Sequence, residues 1–155
     1  MVSRISNKSS AEPGAAPLIN PLDGLLGYQL RRASQAMLDD LLASLEDVKL
    51  RPSSVSVLLL VAANPGITQS RIGQALAIER ANMVPMTAKL AKQGLLTRSR
   101  TDGRSHGLHL TEEGKRTALK IRKRIAEHEN KFWKHAKASQ RSAQLKFLRS
   151  LWAVP

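Results

Sequence analysis

The side chains of this chain that are suited to chemistry are mainly cations, and they favour binding over catalysis. Lysine and arginine total 25 in 155 residues against 12 aspartates and glutamates, which gives a formal net charge of +13. An excess of this size favours a polyanionic partner, most often nucleic acid. On a helix predicted from about Glu79 to Lys92, Arg80, Asn82 and Lys89 lie off the apolar side, where they can reach base edges or nearby phosphates.

Motifs that would support an enzyme are missing from the sequence. The four histidines, His106, His109, His128 and His135, form no His-x-x-x-His pair. The sequence contains neither a glycine-rich phosphate loop nor a nucleophile elbow. Because cysteine is absent, disulfides, thiolate metal sites and cysteine-based redox sensing are excluded. We therefore expect no enzymatic activity, no metal site and no cofactor.

Hydrophobic periodicity predicts helices before and within the basic region. Apolar residues at steps of three and four predict a first helix from about Pro21 to Val48. The nearly all-apolar segment Val55 to Ala63 predicts a buried helix that ends at a breaker cluster. Thr68 is a good N-cap for a short third helix, and the helix that carries Arg80 follows after a brief turn.

A hairpin and two further helices are predicted after residue 94. Leu95 to Arg100 and Gly107 to Thr111 are short extended segments, and Asp102-Gly103 between them is a strong hairpin signal. Thr111 then caps a long helix, and a last helix follows from about Ser139 to Trp152. Its predicted inner face consists of Leu145, Leu148, Leu151 and Trp152. Two helices joined by a tight turn and followed by a basic hairpin predict a winged helix-turn-helix, in a mainly α fold with a small β-wing.

Several of these segments resemble the MarR-type regulators (multiple antibiotic resistance regulators). The stretch Ile67-Thr68-Gln69-Ser70-Arg71-Ile72-Gly73-Gln74-Ala75-Leu76 is similar to the first motif helix of that family. Ile78 to Leu90, with Gly94-Leu95-Leu96 and Arg98, is similar to its recognition helix and exit. Asp102-Gly103-Arg104 matches the wing-tip Asp-x-Arg, and Leu110-Thr111-Glu112-Glu113-Gly114 matches the start of the next helix. The resemblance covers roughly residues 22–152.

The sequence departs from the family pattern in two places. The wing is about two residues shorter than is usual, and Pro85 replaces a residue that is often polar or basic. A proline inside a helix removes a hydrogen bond and kinks it, unless Asn82 is a late N-cap that leaves Pro85 in the first turn. In either case, Val84 and Pro85 would offer apolar contact to thymine methyl groups.

The residues predicted to contact DNA are the polar and exposed positions of this motif. For the major groove they are Arg80, Asn82 and Lys89, with Val84 and Pro85 as apolar contacts. Arg104 is expected in the minor groove, oriented by Asp102. Phosphate contacts are expected from Thr68, Ser70 and Arg71, and further backbone attraction from Arg98 and Arg100.

The resemblance implies a homodimeric repressor that binds a pseudo-palindromic operator on double-stranded DNA and is released by a small organic effector. We divide the chain into a flexible arm (1–21), a dimerisation helix (22–51), a DNA-binding lobe (52–111) and C-terminal dimerisation helices (112–155). The resemblance implies that the effector is an aromatic carboxylate or an aryl-CoA thioester. Of the net +13, +8 follows residue 111, and such a basic region suits the phosphates of a CoA thioester. The candidate effector residues are Arg31, Arg32, Ser34, Lys120, Arg122 and Arg124.

Two other functions remain open at this stage. A constitutive or architectural DNA-binding protein without an effector would share the wing and the charge, but would bind many sequences with a steep salt dependence. A protein–protein adaptor is disfavoured by the intact Asp102-x-Arg104 tip. No apolar run reaches the roughly 18 residues of a membrane span, and the N-terminal segment lacks the apolar core of a secretory signal. We therefore expect a cytoplasmic protein that engages no membrane.

Overall fold

The structure is a computed structural model that describes residues 18–100, 106–134 and 137–153. Contacts divide the chain into two units, Met1–Met37 and Leu38–Pro155. Six α-helices are described: α1 (Leu26–Ser44), α2 (Pro52–Ala63), α3 (Gln69–Leu76), α4 (Arg80–Lys92), α5 (Glu112–Trp133) and α6 (Ala138–Trp152). The strands are β1 (Ile67–Thr68), β2 (Leu96–Arg100) and β3 (His106–Leu110). The mainly helical fold with a small β-wing is confirmed.

The first helix is shorter at both ends than the apolar periodicity predicted. Before it, the backbone N–H of Leu22 donates to the Asn20 side chain at 3.1 Å, and the N–H of Leu25 donates to the Leu22 carbonyl at 2.9 Å. These bonds form a turn that delays the helix to Leu26. After Ser44 the chain tightens into a 3-10 turn, Glu46–Val48, and Lys49 adopts the left-handed region with φ of 55°.

Helix α2 is the centre of the core, as its apolar sequence predicted. It packs against α3, α4, α5 and β3. A helix that is apolar almost all round needs such neighbours on every side. The largest fully buried apolar side chains are Leu58, Ile72, Met83, Leu90, Leu108, Ile121, Val57 and Val61.

The three strands form one antiparallel sheet in the order β1-β3-β2. Leu96 pairs with Leu110 and Arg98 with Leu108, while Thr68 of β1 pairs with Gly107 on the other edge of β3. Helix α5 starts directly after β3, where the Thr111 hydroxyl accepts from the Gly114 N–H at 3.0 Å, so the predicted cap is confirmed. A Cβ on Gly114 would lie 2.0 Å from the Leu95 carbonyl oxygen, so only glycine allows this close packing.

The described residues include no helix with the length and apolarity needed to cross a membrane.

Candidate nucleic-acid interface

Helices α3 and α4 are joined by the tight turn of a helix-turn-helix. Thr68 caps α3 as predicted, since its hydroxyl accepts from the Arg71 N–H at 3.4 Å. Ala77 takes the left-handed conformation with φ of 51°, and the N–H of Ile78 then donates to the Gly73 carbonyl at 2.9 Å. A Cβ on Gly73 would lie 2.8 Å from the Ile78 carbonyl oxygen, so the turn requires a glycine there.

Helix α4 begins at Arg80 with Glu79 as N-cap, which confirms the predicted start near Glu79 and rules out the alternative in which Asn82 is a late N-cap. Glu79 has an extended backbone, with φ of −60° and ψ of 146°. This start rotates Met83 into the core, where it is 1% exposed. Pro85 therefore lies inside the helix and removes the N–H that would have bonded to the Ala81 carbonyl.

The outer face of α4 carries the residues that the sequence predicted for base contact. All five predicted side chains are exposed, while Met83, Thr87 and Leu90 are buried on the opposite side. Val84 is 45% exposed, a large fraction for an apolar side chain on a packed helix. The five predicted residues are Arg80, Asn82, Val84, Pro85 and Lys89, and Ala81, Ala88 and Lys92 are exposed beside them.

Helix α3 and the wing flank this face with further polar groups. Ser70 and Arg71 are exposed at the start of α3, and Thr68 is half-buried as its cap. Arg98 is exposed on β2. Arg100 is the last residue of β2, and the predicted pair Asp102 and Arg104 lies outside the described residues.

A cleft of about 470 Å³ separates the start of α3, the outer face of α4 and the wing strands. Its lining includes Thr68, Ser70, Arg80, Arg98 and His106, a set of hydroxyls and nitrogen donors. Such groups bind phosphate oxygens. The geometry therefore brings together five polar groups from two helices and three strands, and the sequence singled out four of them for DNA contact.

Comparison with known proteins identifies the family. A sequence model of the MarR family matches residues 49–105. A solved structure of the transcriptional repressor CouR, bound to a 23-mer DNA duplex, is 37% identical, with 88% of this chain and 99% of that chain covered and a TM-score of 0.79. The chain belongs to the MarR family.

The names of two further relatives of this MarR-family regulator mention a ligand and an operon. CouR bound to p-coumaroyl-CoA is also 37% identical, over 88% of this chain and 97% of that chain, with a TM-score of 0.75. A Thauera aromatica protein named for regulation of the hcr operon is 26% identical, over 83% of this chain and 80% of that protein.

Two of the candidate effector residues of this MarR-family regulator are engaged in ion pairs. Lys120 Nζ lies 2.6 Å from Asp47 Oδ2, and the Arg124 guanidinium contacts both Asp47 oxygens. Hydrogen bonds from these two cations hold the pKa of Asp47 below its usual value. Their charge is thus partly offset before any ligand binds, whereas Arg122 is exposed.

The other three candidates are exposed side chains of the first unit. Arg31 lies over the Tyr28 ring with 5.4 Å from the guanidinium carbon to the ring centroid. Arg32 and Ser34 are exposed on α1.

Two of the polar side chains buried in this fold have partners that the sequence did not indicate. His128 on α5 is 3% exposed, and its Nδ1 lies 2.8 Å from Asp40 Oδ2. Thr87 on α4 is 1% exposed, and its hydroxyl accepts from Gln69 of α3 at 2.5 Å. Buried polar groups need partners, so a threonine or histidine on an otherwise apolar face was the available signal.

A second groove lies beside α4, between this helix and the start of α2. Its volume is about 700 Å³, and three cations line it: Lys49, Arg51 and Lys89. Asn82 and Pro85 of α4 also line it. The face of α4 that the sequence predicted for DNA contact is therefore shared with this groove.

The predicted inner face of α6 is exposed within the single chain. Leu145 is 45%, Leu148 37% and Leu151 42% exposed, and Trp152 reaches 74%. Their interior placement in one chain was wrong. A face of this size on a helix is suited to contact with another molecule.

Proposed function

We propose that this protein is a homodimeric transcriptional repressor that binds a pseudo-palindromic operator and is released by an aromatic acyl-CoA thioester. The observation that carries the proposal is the outer face of α4. It presents Arg80, Asn82 and Lys89, in a chain 37% identical to a repressor that was solved on DNA. A helix with such a face fits the major groove and reads base edges.

The thioester is favoured over the free acid by the charge of the groove between α2 and α4. Lys49, Arg51 and Lys89 supply the cations that phosphates of coenzyme A require. They outnumber the one carboxylate among the described residues of the lining, Glu79. CouR, the 37% identical relative, was solved with p-coumaroyl-CoA. Because Lys89 and Asn82 line this groove and also face the expected DNA, a thioester bound there would compete with the operator. Release then follows from binding that is mutually exclusive.

The test is fluorescence anisotropy with labelled DNA from the region upstream of the coding sequence, beside a scrambled duplex, at about 0.15 M salt. We expect a strong preference for the upstream DNA, with two chains per site. We expect p-coumaroyl-CoA to reverse binding, and p-coumarate alone and coenzyme A alone to leave it intact. Lys89→Gln should weaken both DNA binding and thioester response, whereas Lys146→Gln on α6 is the matched control.

The alternatives predict different results in the same titration. Equal affinity for both duplexes, with a steep fall as the salt concentration rises, would contradict the proposal of a specific repressor. It would favour a basic architectural protein. Release by p-coumarate alone would contradict the thioester and favour a plain aromatic carboxylate.

A further inference from the structure

Thr87 is a buried hydroxyl at the centre of the inner face of α4. It is 1% exposed, and among the described residues it is one of three buried polar side chains, with Ser54 and His128. Its Oγ1 accepts from Gln69 Nε2 at 2.5 Å. Its proton points toward the carbonyls of Met83 and Val84, each 3.1 Å away. The hydroxyl is thus satisfied as donor and as acceptor.

Gln69 joins α4 to the N-terminal end of α3. It is the first residue of α3, directly after Thr68, which caps the helix and pairs with Gly107 of the wing. Within the described ranges, Gln69–Thr87 is the one side-chain to side-chain hydrogen bond between α3 and α4. The bond therefore fixes the rotation of α4 about its axis relative to the base of the wing.

The turn of α4 that this bond supports is the one that Pro85 weakens. Pro85 has no N–H, so the Ala81 carbonyl lacks its helical partner. A threonine hydroxyl that bonds to the carbonyl four residues earlier also favours a bend. The segment 81–87 thus depends on outside support more than a regular helix does, and it carries Asn82, Val84 and Pro85 on its outer face.

We propose that Gln69 is a positioning residue that acts through Thr87 to set the rotation of α4, and so contributes to discrimination between DNA sequences without contact to a base. The inference rests on the proposed function, since it assigns Gln69 a role in the operator reading of the same site. Direct readout depends on hydrogen-bond geometry that fails within a few tenths of an ångström. A small rotation of α4 therefore changes base contacts more than phosphate contacts, which are longer-ranged and carry no sequence information.

The test compares Thr87→Val, Gln69→Leu and their double variant with the wild type. The readout is the ratio of affinity for the upstream DNA to affinity for the scrambled duplex. We expect each single variant to lower this ratio about tenfold with binding to the scrambled duplex unchanged, and the double variant to fall no further, because both changes remove one shared bond. Thr87→Ser, which keeps the hydroxyl, should restore the ratio to within about twofold. Ser56→Ala on α2 is the matched control, because it removes an exposed helical hydroxyl that likewise bonds to the carbonyl four residues earlier.

A second readout needs no DNA. In Thr87→Val and Gln69→Leu, amide hydrogen exchange should be faster in α4 and unchanged in α2. Unchanged exchange in α4 would overturn the proposal.

The outcomes separate this inference from the proposed function. A wild type without preference for the upstream DNA overturns the proposed function and this inference with it. A wild type with preference, whose Gln69→Leu and Thr87→Val variants keep the same ratio, overturns this inference alone. A loss in Gln69→Leu without a loss in Thr87→Val overturns it in favour of direct contact between Gln69 and DNA. An equal loss on both duplexes, with a lower Tm, overturns it in favour of a general structural role.

Discussion

At the residue scale, Asp40 connects α1 to α5 through two donors. His128 Nδ1 lies 2.8 Å from Asp40 Oδ2, and Lys131 Nζ lies 3.0 to 3.1 Å from the two carboxylate oxygens. The His128 ring also meets Phe132 edge-on, with 5.0 Å between centroids. Asp40 thus supplies the partner that a buried imidazole needs on an otherwise apolar face.

The cluster predicts how the free energy of unfolding depends on pH. Hydrogen bonds from His128, and then from Lys131, hold the pKa of Asp40 below the usual value of an aspartate. A carboxyl whose pKa is lowered by folding stabilises the folded state above its unfolded pKa, and this contribution is lost as pH falls through the folded pKa. We expect the stability difference between wild type and Asp40→Asn to be constant above about pH 5 and to shrink below about pH 3.8.

The measurement is urea unfolding followed by circular dichroism from pH 2.5 to 6, at one protein concentration because association also affects stability. Lys131→Met removes one of the two donors and should give an intermediate result. A difference between wild type and Asp40→Asn that does not vary with pH would contradict the assignment.

At the element scale, α4 is an α-helix that contains a proline, Pro85, in its interior. Its start at Arg80 places Pro85 in the sixth helical position. A proline loses no hydrogen bond in the first turn of a helix, but Pro85 lies beyond that turn. Met83, Thr87 and Leu90 hold the helix against the core despite the missing hydrogen bond. Packing has therefore overridden local propensity in this element.

We predict that Pro85→Ala raises stability and lowers sequence preference. The new N–H restores a bond to the Ala81 carbonyl, which stabilises the fold by up to about 3 kcal/mol. The straighter helix would then present Asn82 and Val84 differently to the bases. The measurements are Tm by circular dichroism and the affinity ratio between upstream and scrambled DNA.

Val84→Ala is the matched control for Pro85→Ala, because it trims the same outer face without altering the backbone. It should leave Tm nearly unchanged. A lower Tm in Pro85→Ala would show instead that the proline stabilises the protein by restricting the unfolded chain.

At the scale of the whole molecule, α6 presents an apolar face that the single chain leaves open. Leu145, Leu148, Leu151 and Trp152 share that face, and Phe147 at its edge is 49% exposed. The start of α6 is attached to the end of α5, since the Arg141 guanidinium donates to the Trp133 carbonyl at 2.9 Å and lies over the Trp133 ring. An apolar helix face of this kind in a homo-oligomer is expected to pair with a second copy.

We predict that Leu148→Asp converts the dimer to a monomer, because a carboxylate buried between two apolar faces has no partner. Sedimentation velocity would report the change in mass. The same variant should lose the preference for upstream DNA, which needs two recognition helices about one helical turn of DNA apart. Ser142→Asp, on the polar side of α6, should remain dimeric, and a dimeric Leu148→Asp would contradict the assignment of this face.

The sequence by itself determined the elements and the family of this protein. Apolar periodicity located the helices to within a few residues, and Thr68 and Thr111 marked two helix starts, because caps and periodicity are local properties of a few adjacent residues. The motif residues from 67 to 114 were sufficient to indicate the MarR family. The exposed face of α4 followed from the same periodicity.

The tertiary structure decided which side chains meet and where α4 begins. Gln69 and Thr87 are 18 residues apart, and Asp40 and His128 are 88 apart, so neither pair is visible in a local pattern. The sequence left two starts for α4, one near Glu79 and one after Asn82 as a late N-cap. The structure has the first, because burial of Met83 favours Glu79 as the N-cap although Asn is the better local cap. The physical reason is that core burial outweighs a single cap, and that partners for buried polar groups are chosen by the packing of distant elements.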